Sequence, residues 1–349
     1  MGKTSRGFTL IEILVASAVF AIFMIGILNL LDTSTRVSQL ETSLADTQEN
    51  VRFSAYHIMR TARMMGSSMM PFADDSTGTA LWVAGELISN ASGTATTPFG
   101  NVSVINGSDV LTLRGFFELA PFFIDRTDVL TGPNRIQVRE SDSGKVINRN
   151  FNLVQVSGLE GRGLFIMGNL DQGEYAIGQI GSGSAISGTA PDRTLTIPFG
   201  TGAQQWSDLN PSGVSVPPVF KSYRIGVLES YTYYVDENRV LRRLRADSTG
   251  ATSQPVAINI GSLQVSLGVD TNGDNAVDSW LMAPTAANIA GNQVIGMRIT
   301  ILGRTSRGVP EWTEPATTFD VADLDINDVD RGAKWRRIQV EAALRNYLF

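Results

Sequence analysis

The sequence predicts an α+β protein in which a long N-terminal helix, membrane-spanning in its first half and amphipathic in its second, packs on a β-rich, mainly antiparallel C-terminal domain. Three observations predict this fold class. An apolar run extends from Phe8 to Leu31 with Glu12 as its one charge. No proline occurs before Pro71, so one helix can continue beyond the run. From about residue 72, apolar residues alternate with a period of two, which is typical of strands.

The run from Phe8 to Leu31 has the length of a transmembrane helix. At about 1.5 Å per residue it measures roughly 36 Å, enough for the roughly 30 Å hydrocarbon core of a bilayer. Lys3 and Arg6 precede it, so the positive-inside rule places the N-terminus in the cytoplasm and the C-terminal domain in the periplasm. The alternative is a secretory signal cleaved after Ala16-Ser17-Ala18. That cleavage would leave the apolar segment from Val19 to Leu31 on the mature protein, so an anchor in the inner membrane is favoured.

Glu12 needs a cationic partner in this setting. An ionisable group costs on the order of 2.5–3.5 kcal/mol at mid-membrane, and less near an end. No cation lies in the apolar run itself. If a leader comprising residues 1–7 were removed, the new amine of Phe8 would supply one. In a stack of similar helices, the amine of one chain can then neutralise the Glu12 carboxylate of the next.

These residues resemble a known processing signal. Gly7-Phe8-Thr9-Leu10-Ile11-Glu12, after a short basic leader, is similar to the class III signal of type IV pilins and type II secretion pseudopilins. The resemblance implies that a prepilin peptidase cleaves after Gly7 and methylates the new N-terminal Phe8, and that Glu12 guides assembly. It divides the N-terminal part into a leader at 1–7, a transmembrane helix at 8–31 and a soluble half of the same helix at 32–66.

The soluble half of the helix carries an apolar stripe, with residues spaced by three, four and seven positions. We expect this stripe to pack on the globular domain, with a coiled-coil partner as the alternative. Gly66 and Pro71 predict where the helix ends. The residues of the stripe are Val37, Leu40, Leu44, Val51, Ile58, Met59, Ala62 and Met65.

Residues 72–349 are predicted to form one β-rich domain. The stretch Asp236-Glu237-Asn238 predicts the turn of a hairpin. Segments 88–108 and 168–219 are rich in Gly, Ser, Thr, Asn and Pro, and are predicted as long surface loops, with a loop-rich lobe near 140–215. Strands are expected at Ala80–Leu87, Asp109–Phe116, Arg135–Arg139, Leu164–Met167, Arg193–Pro198, Tyr223–Val235, Arg239–Arg245, Ser262–Val269, Val294–Leu302 and Trp335–Leu348.

Several segments, taken in chain order, resemble minor pilins of the PilW type. They are the helix end from Gln48 to Gly66, Ser108 to Arg114, the hairpin ending in Leu241-Arg242-Arg243, Leu263 to Asp270, and Leu344-Arg345-Asn346. The resemblance implies a non-enzymatic minor pilin that primes or caps a type IV pilus. It implies the prepilin peptidase, other minor and major pilins and the inner membrane as partners. Two alternatives stay open: a type II secretion pseudopilin of the J class, and a membrane-anchored adhesin that binds a surface ligand through loops 88–108 and 168–219.

Composition limits the other functions open to the chain. With 349 residues, 43% of them hydrophobic, it can bury at least one sizeable core. It has no cysteine, so disulfides, thiolate metal sites and cysteine nucleophiles are excluded. The net charge is -6 and no cluster of Lys and Arg follows the apolar run, so we expect no binding of nucleic acid. His57 has no catalytic motif around it, so we expect no enzymatic activity.

The segment from Asp270 to Asp278 has oxygen-bearing side chains in the order found in a calcium loop. A hard cation needs six to eight oxygen ligands converging from a tight turn, and this order could supply several of them. Asn275 stands where that loop has Gly, and Leu281 stands where it has a bidentate Glu. Two interpretations stay open: a weak calcium site, or an Asx-rich loop held by its own hydrogen bonds. The candidate ligands are Asp270, Asn272, Asp274, the carbonyl of Ala276, and Asp278.

Overall fold

The structure, a computed structural model, describes residues 9–65, 70–74, 81–124, 135–167, 175–200, 206, 208–210, 224–247, 250–289, 293–305 and 333–344. In chain order the elements are α1 (Leu10–Met65), β1 (Ala73–Asp74), β2 (Leu81–Trp82), β3 (Gly85–Thr97), β4 (Gly100–Gly115), β5 (Phe122–Phe123), β6 (Arg135–Arg139), β7 (Ser141–Asp142), β8 (Lys145–Val146), β9 (Gly163–Met167), β10 (Tyr175–Ile180), β11 (Ala185–Ser187), β12 (Thr194–Gly200), β13 (Arg224–Val235), β14 (Leu241–Asp247), β15 (Gly250–Ala257), β16 (Ile260–Asp270), β17 (Ser279–Leu281), α2 (Ala286–Ile289), β18 (Gln293–Arg304) and β19 (Trp335–Ala343). Short 3-10 turns lie at Arg149–Leu153 and Val156–Gly158.

Helix α1 packs on the sheets along its C-terminal third. Val51, Ile58 and Ala62 are fully buried, and Thr47 Oγ1 donates a hydrogen bond to the carbonyl of Arg304 at 3.1 Å. The apolar stripe is therefore confirmed from Val51 onward. The prediction is wrong for Val37, which is 49% exposed, whereas Leu40 and Leu44 are half-buried.

The four-stranded sheet under the helix has the order β17-β16-β18-β19, and all its pairs are antiparallel. The predicted strands are confirmed and their apolar face lies in the core shared with α1, but β16 is buried on both faces rather than one. The buried residues on β16 are Leu263, Val265, Leu267 and Val269, and those on β18 include Met297, Ile299 and Ile301. They belong to one large core that also contains the buried residues of α1. This is the predicted fold class, a long helix packed on antiparallel sheets.

Strand β13 is shared by two groups of strands. Its C-terminal half pairs with β4 on one side and β14 on the other, which gives the order β3-β4-β13-β14-β15. Its N-terminal half pairs with β5 and β9, and β9 continues through β10 and β12 to β6 and β11. This second group has its own core, which includes Phe122, Ile136, Phe151, Ile166 and Ile197. The lobe predicted near 140–215 is therefore larger, spanning about 119–227, and is built of strands.

Four charged side chains meet where this lobe joins the central strands. Arg162 Nη1 lies 2.7 Å from Glu229 Oε1 and 3.2 Å from Glu118 Oε2, and Arg245 Nη1 lies 2.7 Å from Glu118 Oε1. The backbone N–H groups of Phe117 and Glu118 also donate to Glu229 Oε2. Because Glu229 is only 3% exposed, burial and the neighbouring Glu118 raise the pKa of its carboxyl to about 8, against the opposing effect of Arg162 and Arg245. The cluster holds the entry and exit strands of the lobe together.

Segment 88–108 is not a loop, and the prediction there is wrong. Strands β3 and β4 continue through it as a hairpin with register shifts near Ala91. Gly93 and Asn90 adopt positive φ values of 68° and 51°, which small or Asx residues tolerate. The hairpin folds over the central strands and forms a third core with Tyr234 and Leu244. Its inward residues are mostly Ala and Val separated by Gly, Ser and Asn, so the alternation was too weak to detect in the sequence.

Segment 168–219 was also predicted as a loop, and this is wrong for its described residues. It contains β10, β11 and β12, of which only part of β12 was predicted. Strand β10 pairs with β9 and β12 pairs with β6, so partners outside the segment stabilise it. Long-range pairing of this kind leaves no local pattern. Strand Arg135–Arg139 is observed as predicted, and the other predicted strands are observed with shifted ends, except that Ala80–Leu87 is interrupted at Val83 and Ala84. Ala80, Tyr223 and 345–348 lie outside the described residues.

Side chains of β4 join the central strands to the sheet under the helix. Ser108 Oγ accepts a hydrogen bond from the N–H of Leu263 at 3.1 Å. Asp109 Oδ2 accepts one from the N–H of Val265 at 2.7 Å, and its Oδ1 accepts one from Asn90 at 2.9 Å. Ser108 and Asp109 are almost completely buried. These bonds satisfy the N–H groups of Leu263 and Val265, on a side of β16 where the described residues supply no paired strand.

Candidate assembly site at the helix N-terminus

Helix α1 begins with a capping box. Thr9 stands before the first helical residue, and its hydroxyl accepts a hydrogen bond from the N–H of Glu12 at 3.3 Å. In return, Glu12 Oε2 accepts hydrogen bonds from the Thr9 N–H at 2.9 Å and from the Thr9 hydroxyl at 3.0 Å. This reciprocal pair satisfies backbone N–H groups that the first turn of a helix leaves without partners. Gly7 and Phe8 lie outside the described residues.

The capping box gives Glu12 a role that the sequence reasoning missed. The signal was readable, because Thr9-x-x-Glu12 at the start of an apolar run is the pattern of a capping box. Both hydrogen bonds end on Oε2, and Glu12 makes no ion pair within the described part of the chain. Its charge therefore stays available to a cation from outside this segment.

The apolar half of α1 is exposed along its whole length. Every residue from Leu10 to Leu31 is exposed, with Leu10 at 80% and Leu30 at 71%. Among the described residues, this is the one helix long and apolar enough to cross a membrane. A soluble protein does not leave so large a contiguous apolar surface in water, so another apolar medium must cover it. Glu12 lies near the N-terminal end of this segment, close to the predicted cleavage site.

His57 fastens α1 to the central strands. Its Nδ1 lies 3.2 Å from the hydroxyl of Tyr233, and that hydroxyl lies 2.8 Å from Thr61 Oγ1. Burial lowers the pKa of His57, and the guanidinium groups of Arg243 and Arg60 lower it further. These contacts place the ring in a packed contact between helix and sheet.

The loop from Asp270 to Asp278 is closed by its own hydrogen bonds. Asp270 accepts hydrogen bonds from the N–H groups of Asn272, Gly273 and Asn275 at 2.7–3.0 Å. Asp278 Oδ2 accepts bonds from the N–H and hydroxyl of Thr271. Asn275 has a φ of 63°, which confirms that Asn replaces Gly in the left-handed region.

A calcium site receives no support from this geometry. The loop's own donors already occupy carboxylate oxygens that a cation would need. Within the described residues, no group of three or more acidic or histidine side chains is placed to hold a metal ion. The backbone N–H groups around Asp270 lower the pKa of its carboxyl against the opposing effect of burial. The self-bonded loop explains the observed geometry, and calcium binding stays a prediction.

Comparisons with known proteins give two sequence matches and a structural match. Residues 232–346 match the family described as type IV pilus-assembly protein W, PilW, and residues 2–28 match the prokaryotic N-terminal methylation motif. A type IV-like pilin from Thermus thermophilus is similar at a TM-score of 0.23 and 12% identity, over 54% of this chain and 87% of that chain. No curated protein matches. One match covers the capped, apolar start of α1, and the other runs from the last residues of β13 through β19. With the helix and sheets described above, these two matches support a type IV pilus-assembly protein of the PilW type, the family model covering the C-terminal third of the chain.

Proposed function

We propose that the chain is a minor pilin, a non-enzymatic subunit that primes or caps a type IV pilus after a prepilin peptidase has removed residues 1–7. The observation that carries this proposal is the exposed apolar helix from Leu10 to Leu31, whose first turn carries the carboxylate of Glu12 within the residues that match the methylation motif. A pilin signal implies processing by the peptidase and contact with other pilins in general. Membrane insertion with the N-terminus in the cytoplasm and the domain in the periplasm follows from Lys3 and Arg6.

The described part of the domain offers less support for the adhesin alternative. That alternative depends on open loops at 88–108 and 168–219. The first is a hairpin packed on the central strands, and the second contains three paired strands. We therefore place the function in the helix and its neighbours in a filament.

Glu12→Gln tests the assembly role and separates it from capping. Glutamine also serves in a capping box, so the helix start is kept while the charge is removed. If Glu12 pairs with the amine of a neighbouring Phe8, the change leaves that amine unmatched in a low-dielectric setting, a loss of about 3–5 kcal/mol. We expect Glu12→Gln to insert and to lose its leader, but not to enter a filament.

The measurement is recovery of the full-length variant with sheared pili. Thr9→Ala is the matched control, because it removes the cap and keeps the charge. Normal recovery of Glu12→Gln would refute the assembly role. Equal loss in both variants would assign the effect to the helix cap.

A further inference from the structure

The lobe spanning about 119–227 is joined to the central strands by two stretches of chain that lie side by side. One leaves β4 through Phe116. The other is β13, which pairs with β9 of the lobe up to Leu228 and with β4 of the central strands from Glu229. A Cβ at Gly226 on β13 would overlap the ring of Phe116, so the two stretches are in direct contact. Together they form the joint between the lobe and the central strands.

Four charged side chains converge on this joint and form the joint cluster: Glu118, Arg162, Glu229 and Arg245. Arg162, directly before β9, belongs to the lobe, and Arg245 on β14 belongs to the central strands. Arg162 Nη1 lies 2.7 Å from Glu229 Oε1 and 3.2 Å from Glu118 Oε2. Arg245 also faces both carboxyls, at 2.7 Å from Glu118 and 3.8 Å from Glu229. The two acids therefore share their counter-ions across the joint.

The carboxyl groups of Glu118 and Glu229 lie within hydrogen-bond distance of each other. An ionised carboxylate only accepts hydrogen bonds, so a hydrogen bond between two carboxyls requires a proton on one of them. Glu229 is almost completely buried, and burial, followed by the charge of Glu118, raises the pKa of Glu229 to about 8. The guanidinium groups of Arg162 and Arg245 oppose this rise. Glu229 therefore keeps its proton at neutral pH.

Among the described residues that face the cluster, no other group changes its charge near neutral pH. Burial acts against it, but the hydrogen bond from Glu229, followed by the charges of the arginines, lowers the pKa of Glu118. The Tyr231 hydroxyl donates to Glu118 Oε1 at 3.4 Å, and burial raises the pKa of Tyr231. Arg243, whose guanidinium lies 4.8 Å over the Tyr231 ring, stays cationic, as do the two arginines of the cluster. The cluster therefore titrates through Glu229.

We propose that the joint cluster is a pH-sensitive clamp, which holds the lobe on the central strands at neutral pH and loosens it in mildly alkaline solution. When Glu229 loses its proton, two carboxylates face each other where one of them is almost completely buried. A carboxyl whose pKa is raised in the folded state stabilises the fold below its ordinary value of 4.5, and this contribution is lost as the pH rises through about 8. Because the cluster spans both sides of the joint, the loss weakens the contact between the lobe and the central strands.

The distance between two spin labels measures the position of the lobe directly, since the chain has no native cysteine to interfere. The labels are attached to Ser187→Cys on β11 of the lobe and to Thr252→Cys on β15 of the central strands, which are both exposed positions. In the full-length protein in detergent, pulsed electron paramagnetic resonance should give one narrow distance distribution at about pH 6.5. At about pH 9 the distribution should broaden, because Glu229 has lost its proton. The same distribution at both pH values would overturn the proposal.

Glu229→Gln identifies the titrating group. Glutamine keeps the size and the hydrogen-bonding capacity of a protonated carboxyl but cannot ionise. We expect a narrow distance distribution at both pH values in this variant. Its thermal midpoint should also lose the fall between about pH 6.5 and about pH 9 that the unmutated protein shows. Broadening that persists in Glu229→Gln would assign it to another group and refute the clamp.

Glu118→Gln is the second variant, at the more exposed acid of the cluster, whose side chain is 43% exposed. It leaves Glu229 alone with two guanidinium groups, so the alkaline broadening should disappear here too. Glu140→Gln is the matched control, because Glu140 pairs with Arg193 in the same lobe and hydrogen bonds from Arg193 lower its pKa. Broadening that persists in Glu118→Gln, or that is lost in Glu140→Gln, would contradict the proposal.

Infrared spectroscopy detects the proton itself, because a protonated carboxyl has a C=O stretching band separate from the bands of carboxylates and amides. The difference between the unmutated protein and Glu229→Gln should contain this band at about pH 6.5 and lose it at about pH 9. Absence of the band at about pH 6.5 would show that Glu229 is ionised and would overturn the proposal. None of these measurements requires a filament, so their failure would leave the proposed function intact, and failure of the assembly role of Glu12 would leave the clamp intact.

Discussion

Glu140 and Arg193 form the best-aligned ion pair of the lobe. Arg193 Nε lies 2.7 Å from Glu140 Oε2, and its Nη2 lies 2.6 Å from Oε1. Nη2 also donates to Asn152 Oδ1, which ties the 3-10 turn at 149–153 to the start of β12. A two-point contact of this kind is more specific than a single surface ion pair.

The Glu140–Arg193 pair predicts a pH dependence of stability. Hydrogen bonds from Arg193 lower the pKa of Glu140 below its usual value of 4.5. A carboxyl whose pKa is lower in the folded state stabilises the fold above its unfolded pKa, and this contribution is lost as the pH falls through the folded pKa. We expect Glu140→Gln to lower the thermal midpoint at pH 7, and the difference from the unmutated protein to shrink on acidification below about pH 4.5. Glu341→Gln, in an exposed pair with Arg298, is the control, and a difference independent of pH would contradict this account.

Calcium binding at Asp270 to Asp278 is tested in the full-length protein in detergent. If the loop opens its hydrogen bonds to a cation, millimolar calcium should raise the thermal midpoint, because a ligand that binds only the folded state stabilises it. Asp274→Ala should abolish this gain while leaving the hydrogen bonds to Asp270 in place. No gain in the unmutated protein relative to EGTA would establish the self-bonded loop as the whole explanation.

At the scale of elements, the contact between α1 and β18 depends on a glycine. A Cβ at Gly303 would overlap Val51 Cγ2 and would lie 3.0 Å from Thr47 Cγ2. The helix backbone can approach the strand closely only because this position has no side chain. The first buried turn of α1 is fixed at this point.

Gly303→Ala is therefore expected to destabilise the protein by about 1–3 kcal/mol, the usual cost of overpacking. Thermal unfolding of the full-length protein measures the change. Val51→Ala combined with Gly303→Ala should be less destabilised than the sum of the two single changes, because the smaller side chain leaves room for the new methyl group. Gly200→Ala is the control, since a Cβ there meets nothing within 4 Å. An additive double variant would show that the close contact is not the cause.

At the scale of the whole molecule, the predicted cleavage determines the residue at which the mature protein begins. Cleavage after Gly7 would leave Phe8 directly before Thr9, so the new amine would stand next to the capping box. Intact mass of protein from cells with a prepilin peptidase should show loss of residues 1–7 and one added methyl group. A mature terminus at Val19 would instead indicate signal peptidase and would refute the proposed processing. Gly7→Ala, expected to keep the leader, is the matched variant.

The long helix, its apolar half and most strands of the C-terminal sheets could be predicted from local patterns. The run from Phe8 to Leu31, the absence of proline before Pro71 and the alternation in β16, β18 and β19 are properties of neighbouring residues, so no tertiary contact is needed to read them. The cleavage signal and Glu12 are equally local. Even the capping box at Thr9 and Glu12, although overlooked, is a four-residue pattern.

Tertiary contacts decided the rest. Segment 88–108 of the hairpin of β3 and β4 is rich in small and polar residues, and β10 is only six residues long, so pairing with partner strands stabilises both as strands. How much of the α1 stripe is buried depends on where β18 ends, since Val37 and Val51 look alike in sequence but only Val51 meets Gly303. In loop 270–278 the order of oxygen atoms suggested a cation, and the fold turned those oxygens toward backbone N–H groups. Pairing between distant segments costs chain entropy and leaves no periodicity, so it becomes visible only when the chain is folded.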